Sequence, residues 1–144
     1  MFLSSYKRKV TQGGRTAVPE KYCDELSKQF IIALPLSDKP CLTVYTTARF
    51  EEIFNTLDER GIPTDALTAY AVPISCDSQW RFTIPMGVRD ESGEKPFGDE
   101  VIFVGVGAAI EIWRPEDWDN NDIGSVEART KLGRDYSKIK RKKA

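Results

Sequence analysis

The 144 residues are 40% hydrophobic, 10% aromatic and 30% charged, a balance that suits one compact domain or two half-size modules on a shared core. The chain has no histidine, which removes the commonest general base, the commonest zinc ligand and every Ser-His or Cys-His nucleophile pair. The longest apolar stretch, Val101 to Ile110, falls well short of the roughly 20 residues needed to span a bilayer. No apolar run follows Lys7, Arg8 and Lys9, so no signal peptide is read and a cytoplasmic location is expected.

Taken in chain order, a β-rich run carries Lys7, Arg8, Lys9 and the Gly14-Arg15 turn and ends at Pro19, where proline suits the first turn of a helix. That helix is predicted over Glu20 to Gln29, with Tyr22, Leu26 and Phe30 at helical spacing. Phe30 to Leu34 and Cys41 to Tyr45, joined by Ser37-Asp38-Lys39-Pro40, read as a β-hairpin. A second helix places Phe50, Ile53, Phe54 and Leu57 on one face, expected in the core. Gly61-Ile62-Pro63 stops it, and Thr64 caps a short helix through Tyr70.

A second β-rich run ends at Pro85, and Arg89 to Gly93 predict a shorter helix or a loop after it. Val101 to Gly105 and Ala109 to Trp113, separated at Gly105 and Gly107, form the second predicted hairpin, and Pro115 to Asp119 opens a further helix. Cys23, Cys41 and Cys76 are widely spaced without a C-x-x-C pair and read as reduced, structural thiols. Although the net charge is only −1, residues 1–22 carry +4, residues 129–144 carry +7 and the body between them −12. A basic edge and tail on an acidic body suit a polyanion partner. From charge alone the tail reads as a disordered, solubilising end.

The chain also repeats itself. Thr11 to Pro19 aligns with Asp77 to Pro85, each with an Arg, two residues, an aliphatic and a Pro. Phe30 to Leu34 aligns with Val101 to Gly105, Cys41 to Tyr45 with Ala109 to Trp113, and Phe50 with Trp118. Matches in register through each half point to a duplicated module. The expected organisation is a first unit over 1–56, a helical linker over 57–73, a second unit over 74–122 and a basic tail over 123–144.

The Met1-Phe2 start, the Gly14-Arg15…Val18-Pro19 element, Pro40-Cys41-Leu42…Tyr45, the Asp77…Arg81…Ile84-Pro85…Arg89 element, Val101 to Trp113 and Pro115…Trp118 together resemble the MraZ family over roughly residues 1–120. The family's motif is an Asp, three residues, then Arg, once in each of two SpoVT-AbrB-type units. The resemblance implies a mostly β fold with short helices (α+β), a double-psi or swapped-hairpin AbrB-like barrel made by two tandem units of one chain. It also implies a ring-shaped homo-oligomer, associated with the nucleoid, that binds short direct repeats of double-stranded DNA upstream of a division and cell-wall gene cluster.

The residues that would carry DNA contact are Arg15 and Arg81, whose planar forks suit guanine or phosphate. Lys7, Arg8 and Lys9 would supply phosphate contacts, with Gly14, Trp80, Asp77 and Arg89 completing the motif. This chain departs from the pattern at Thr11, where the first unit should have Asp, at Trp80, where the second should have Gly, and at Cys23, where members often carry Arg. A carboxylate four residues before an Arg can orient its guanidinium, so Arg15 is expected to be freer than Arg81. A glycine at 80 would permit positive φ; an indole there would block the groove or stack on a base or sugar.

Two other classes fit the same residues: an oligomeric scaffold that binds no DNA, and a diverged AbrB-like regulator or antitoxin with another target. A carboxylate enzyme built on Asp77, Glu94, Asp99 or Glu100 is disfavoured, because Glu94 to Glu100 lies among Gly93, Pro96 and Gly98 as a solvated loop. No catalytic residue, metal or cofactor is expected.

Overall fold

The structure, a computed structural model, describes residues 1–85 and 98–143, with side chains through Ile139. Its strands are β1 (Ser5–Lys9), β2 (Arg15–Ala17), β3 (Gln29–Ala33), β4 (Cys41–Thr46), β5 (Val72–Ser75), β6 (Arg81–Thr83), β7 (Glu100–Gly105) and β8 (Ile110–Trp113). The helices are α1 (Cys23–Leu26), α2 (Thr47–Glu59), α3 (Asp65–Thr68), α4 (Pro115–Asp119) and α5 (Val126–Lys143).

One six-stranded antiparallel sheet runs in the order β1-β7-β8-β4-β3-β5, and β2 and β6 form a separate two-stranded ribbon. The fold is therefore α+β, mostly antiparallel, as expected. It is not the closed barrel that the resemblance implied. Among the described residues β1 and β5 are the outer strands of the large sheet, and the three-residue strands β2 and β6 pair with each other rather than with that sheet.

The pairing crosses between the halves of the chain. β1 pairs with β7 and β5 with β3, while the β3-β4 and β7-β8 hairpins meet along β4 and β8. The register at that seam is Leu42↔Ile112, Thr43↔Glu111 and Val44↔Ile110. Thr43 and Glu111, which the sequence repeat aligns, therefore face each other at its centre.

Three layers follow from which side chains are apolar. On one face of the sheet Phe30, Ile32, Leu42, Val44, Val101, Phe103, Ile110 and Ile112 pack beneath Phe82 and Ile84 of the ribbon segment and Tyr22 and Leu26 of the α1 region. The Phe82 ring meets Phe30 edge-on at 5.3 Å and Phe103 at 6.5 Å, a favoured aromatic geometry. The other face is covered in two patches. Phe50 and Ile53 of α2 rest on Ala33, Tyr45 and Ala109, and Trp118 of α4 rests on Cys41, Ile102, Val104 and Trp113. Both faces of β4 and β8 are thus buried, which is why they read as nearly continuous apolar runs.

On that second face Glu111 is buried, pairing with Lys39 at 3.2 Å and accepting from Trp113 Nε1 at 3.1 Å. A buried carboxylate without such partners would be costly.

Several helix boundaries differ from the sequence reading. The predicted Glu20–Gln29 helix is a 3₁₀ turn over Glu20–Tyr22 followed by α1, and Ser27 at φ 61° ends it. Phe30 leaves the helix because strand pairing with Thr46 and burial against Phe82 hold it in β3. Helix α2 is capped by Thr46, whose side chain accepts from the Arg49 N–H. None of its residues is fully buried, so the Phe50/Phe54 stripe is a half-buried cover rather than core. Thr64 makes no side-chain cap for α3, which ends at Thr68. The C-terminal segment is not irregular as its charge suggested: Val126–Lys143 is helical. The loop or helix predicted around Arg89 to Gly93 lies outside the described residues.

Candidate nucleic-acid interface

The β2-β6 ribbon pairs Arg15 with Thr83, Thr16 with Phe82 and Ala17 with Arg81. Strand alternation turns Thr16 and Phe82 inward, where both are buried, and Arg15 and Arg81 outward. The arginines lie on the same exposed face, with side chains 48% and 49% accessible.

The turns that enter the two strands are built alike. The Thr11 N–H donates to the Arg15 carbonyl at 2.8 Å and the Asp77 N–H to the Arg81 carbonyl at 3.0 Å. The Gly14 N–H reaches the Thr11 carbonyl and the Trp80 N–H the Asp77 carbonyl, each at 3.1 Å. The ribbon is closed by Val18 N–H to the Trp80 carbonyl at 3.0 Å and Ile84 N–H to the Gly14 carbonyl at 2.9 Å. Both turns demand a left-handed residue before the arginine. Gly14 supplies it at φ 79°, and Trp80 adopts it at φ 62°, a conformation that costs a non-glycine residue about 1–2 kcal/mol. The indole is half-buried against the core edge, with Lys28 Nζ 5.7 Å from its ring centroid.

Asp77 organises the pair. Its Oδ1 accepts from the N–H groups of Gln79 at 2.8 Å and Arg81 at 2.9 Å. Its Oδ2 accepts from Arg81 Nε and from Arg15 Nη2, both at 2.8 Å. The Arg81 backbone N–H, then that of Gln79 and the Arg81 guanidinium, hold this carboxyl well below the usual carboxylate range. Arg15 is therefore not the freer arginine that Thr11 suggested, since the second turn's carboxylate restrains it from across the ribbon. The Thr11 side chain donates its hydroxyl to the Arg15 carbonyl at 3.2 Å and offers the guanidinium no carboxylate.

The remaining sites divide. Lys7 and Lys9 are exposed on edge strand β1, with Lys7 3.7 Å from Glu100. Arg8 is half-buried, donates to the Lys7 carbonyl and stacks 5.9 Å from the Tyr6 ring. The Lys9 carbonyl accepts from Thr16 Oγ1 at 2.9 Å, which ties the end of β1 to the ribbon. Arg89 lies outside the described residues. Lys28 was not foreseen. It stands beside Trp80 because its carbonyl accepts from the Cys76 N–H, a contact between halves that local spacing does not reveal. Burial pushes the Cys41 thiol up to about 12, the Cys76 thiol up to about 11 and the Cys23 thiol upward, so all three stay protonated and unreactive near neutrality. No cluster suited to a metal ion is present among the described residues, and no helix among them is long and apolar enough to cross a membrane.

Fold and site together define an antiparallel α+β protein whose two halves exchange strands and jointly present a carboxylate-bridged arginine pair. The model of one family, described as "MraZ protein, putative antitoxin-like", matches residues 67–122. A transcriptional regulator MraZ of Caldanaerobacter subterraneus subsp. tengcongensis is 30% identical over 126 residues, 83% of this chain and 85% of that protein. Those of Lachnoclostridium phytofermentans and Thermoanaerobacter sp. are each 29% identical over 88% of this chain and cover 91% and 93% of their own lengths. The chain belongs to the MraZ family.

Proposed function

We propose that this protein is a sequence-specific DNA-binding transcriptional regulator that presents Arg15 and Arg81 to the duplex from the β2-β6 ribbon. The observation that carries this reading is the exposed, carboxylate-bridged arginine pair on equivalent turns. Guanidinium groups held this way suit base edges or phosphates. Lys7 and Lys9 on the adjoining edge strand add phosphate contacts that position without specifying sequence. Trp80, Gly14 and Asp77 shape the turns, and Arg89 adds a further cation.

In this reading the chain is two tandem units, over 1–56 and 74–122, joined by the 57–73 linker and followed by the basic segment 123–144. The mirrored turn hydrogen bonds and the Thr43–Glu111 centre of the β4-β8 seam support it. A homo-oligomeric ring would repeat the ribbon, and direct repeats in a promoter would then be bound by many weak contacts at high effective concentration. The promoter of a division and cell-wall gene cluster is the proposed target, which places the protein in the cytoplasm on the nucleoid.

Labelled genomic fragments test this. Wild-type protein is expected to retain particular fragments against competitor DNA, and Arg15→Ala/Arg81→Ala protein to lose them. Undiminished retention by the double variant would show that these arginines are not the contacts.

A further inference from the structure

The two arginines are held by different parts of their side chains. Asp77 Oδ2 takes Arg81 at Nε, the neck of the guanidinium, and so leaves the terminal nitrogens out of that contact. The same oxygen takes Arg15 at Nη2, the tip of the group, and draws that tip down onto the neighbouring turn. Asp77 itself belongs to the second turn, because its other oxygen is fixed by the Gln79 and Arg81 backbone N–H groups. Thr11 offers Arg15 no carboxylate of its own.

Bidentate reading of guanine O6 and N7 needs a fork that stays out of the anchoring contact and is oriented before binding. Arg81 meets both conditions while keeping its partner. Arg15 reaches outward only by giving up a charge-assisted bond, and one nitrogen donating to a phosphate is the less demanding contact.

Resting on the DNA-binding reading, we propose that the pair is functionally unequal: Arg81 is the specificity-determining residue that reads a guanine, and Arg15 is a phosphate clamp. Asp77 is the positioning residue for Arg81 and the partner that Arg15 releases on contact. The bound site is then asymmetric, with a guanine column facing the second turn and a degenerate position facing the first.

Selection of bound fragments by wild-type, Arg81→Lys, Arg15→Lys and Thr11→Asp proteins tests this, since each substitution sits on the exposed face and the lysines keep the charge. Arg81→Lys is expected to flatten one guanine column, losing about 5- to 150-fold discrimination. Arg15→Lys is expected to leave the profile unchanged, and Arg15→Ala to weaken preferred and competitor DNA by the same factor. Thr11→Asp, which gives Arg15 a neck partner, is expected to add a second guanine column. Equal flattening by the two lysine variants, or flattening by Arg15→Lys alone, overturns the unequal roles while leaving DNA binding intact. Wild-type protein that prefers no fragment overturns DNA reading and inference together.

A measurement without DNA checks the geometry. The Arg81 Nε–H resonance is expected to exchange slowly with water in wild-type protein and rapidly in Asp77→Asn. Equal rates in the two proteins would remove the neck anchor on which the assignment stands.

Discussion

Asp77 joins the two halves through its Oδ2, which accepts from both Arg15 and Arg81, and its ionisation is therefore coupled to the integrity of the ribbon. Its carboxyl titrates well below the ordinary range, chiefly because the Arg81 N–H donates to it. A depressed folded-state value stabilises the fold fully above the unfolded value of about 3.9. The contribution declines as pH falls below about 4 and ends only when the folded carboxyl itself protonates. The stability difference between wild type and Asp77→Asn in urea titrations is thus expected to be flat from pH 5 to 8 and to shrink below about pH 4. A difference that grows on acidification would contradict the assignment. At Gly14, φ 79° makes Gly14→Ala destabilising by about 1–2 kcal/mol, measurable by thermal unfolding. That Trp80 adopts positive φ, as Gly14 does in the first turn, was not legible in the sequence, because a bulky side chain disfavours that conformation. Nor was the restraint on Arg15, since spacing along the chain reports a carboxylate four residues away and is silent about one across a ribbon.

Among the elements, the β7-β8 connection shows most clearly how one backbone position governs a neighbour. A Cβ added at Gly105 would lie 2.5–2.7 Å from the Leu3 nitrogen and the Phe2 carbonyl group, backbone atoms that cannot rotate aside. Gly105 and Gly107 also hydrogen-bond to Ser4 and Phe2, which anchors the chain start and its buried Phe2 ring. Gly105→Ala is therefore expected to cost about 1–3 kcal/mol and to release Phe2, read by denaturant midpoint and by faster amide exchange at Phe2 and Gly107. Strand and hairpin positions were readable because apolar runs between turn residues have few alternatives. Helix ends were harder. Tyr22, Leu26 and Phe30 keep helical spacing, yet the pairing of β3 with both β4 and β5 outweighs the propensity of one short segment.

At the scale of the whole molecule the charge pattern becomes spatial. The C-terminal cations lie on an 18-residue helix, where Arg129, Arg134 and Lys138 are exposed and Lys131 pairs with Asp135 at 2.8 Å. Removing residues 123–144 is expected to weaken binding to all DNA sequences, to make the dependence on salt shallower and to leave sequence preference in place. Fluorescence anisotropy against salt concentration measures this, and an unchanged slope would mean that the helix does not lie on phosphates. The in-register matches between the halves are legible in the sequence, but pairing of β1 with β7 is not something those matches specify. Periodicity reports which residues face a core and not which half of the chain supplies the neighbouring strand.

That pairing also governs how the molecule is made. β1 leaves the ribosome before the other strands named here, yet its partner is β7, at residues 100–105. At about 5–20 residues per second it waits several seconds, while β5 emerges to find β3 already available. The nascent chain can first assemble β4, β3 and β5, and the arginine ribbon closes only once β6 has appeared beside β2. A chain abandoned midway through translation would therefore carry Arg15 without Asp77 or Arg81, and could not compete with finished protein through the complete interface.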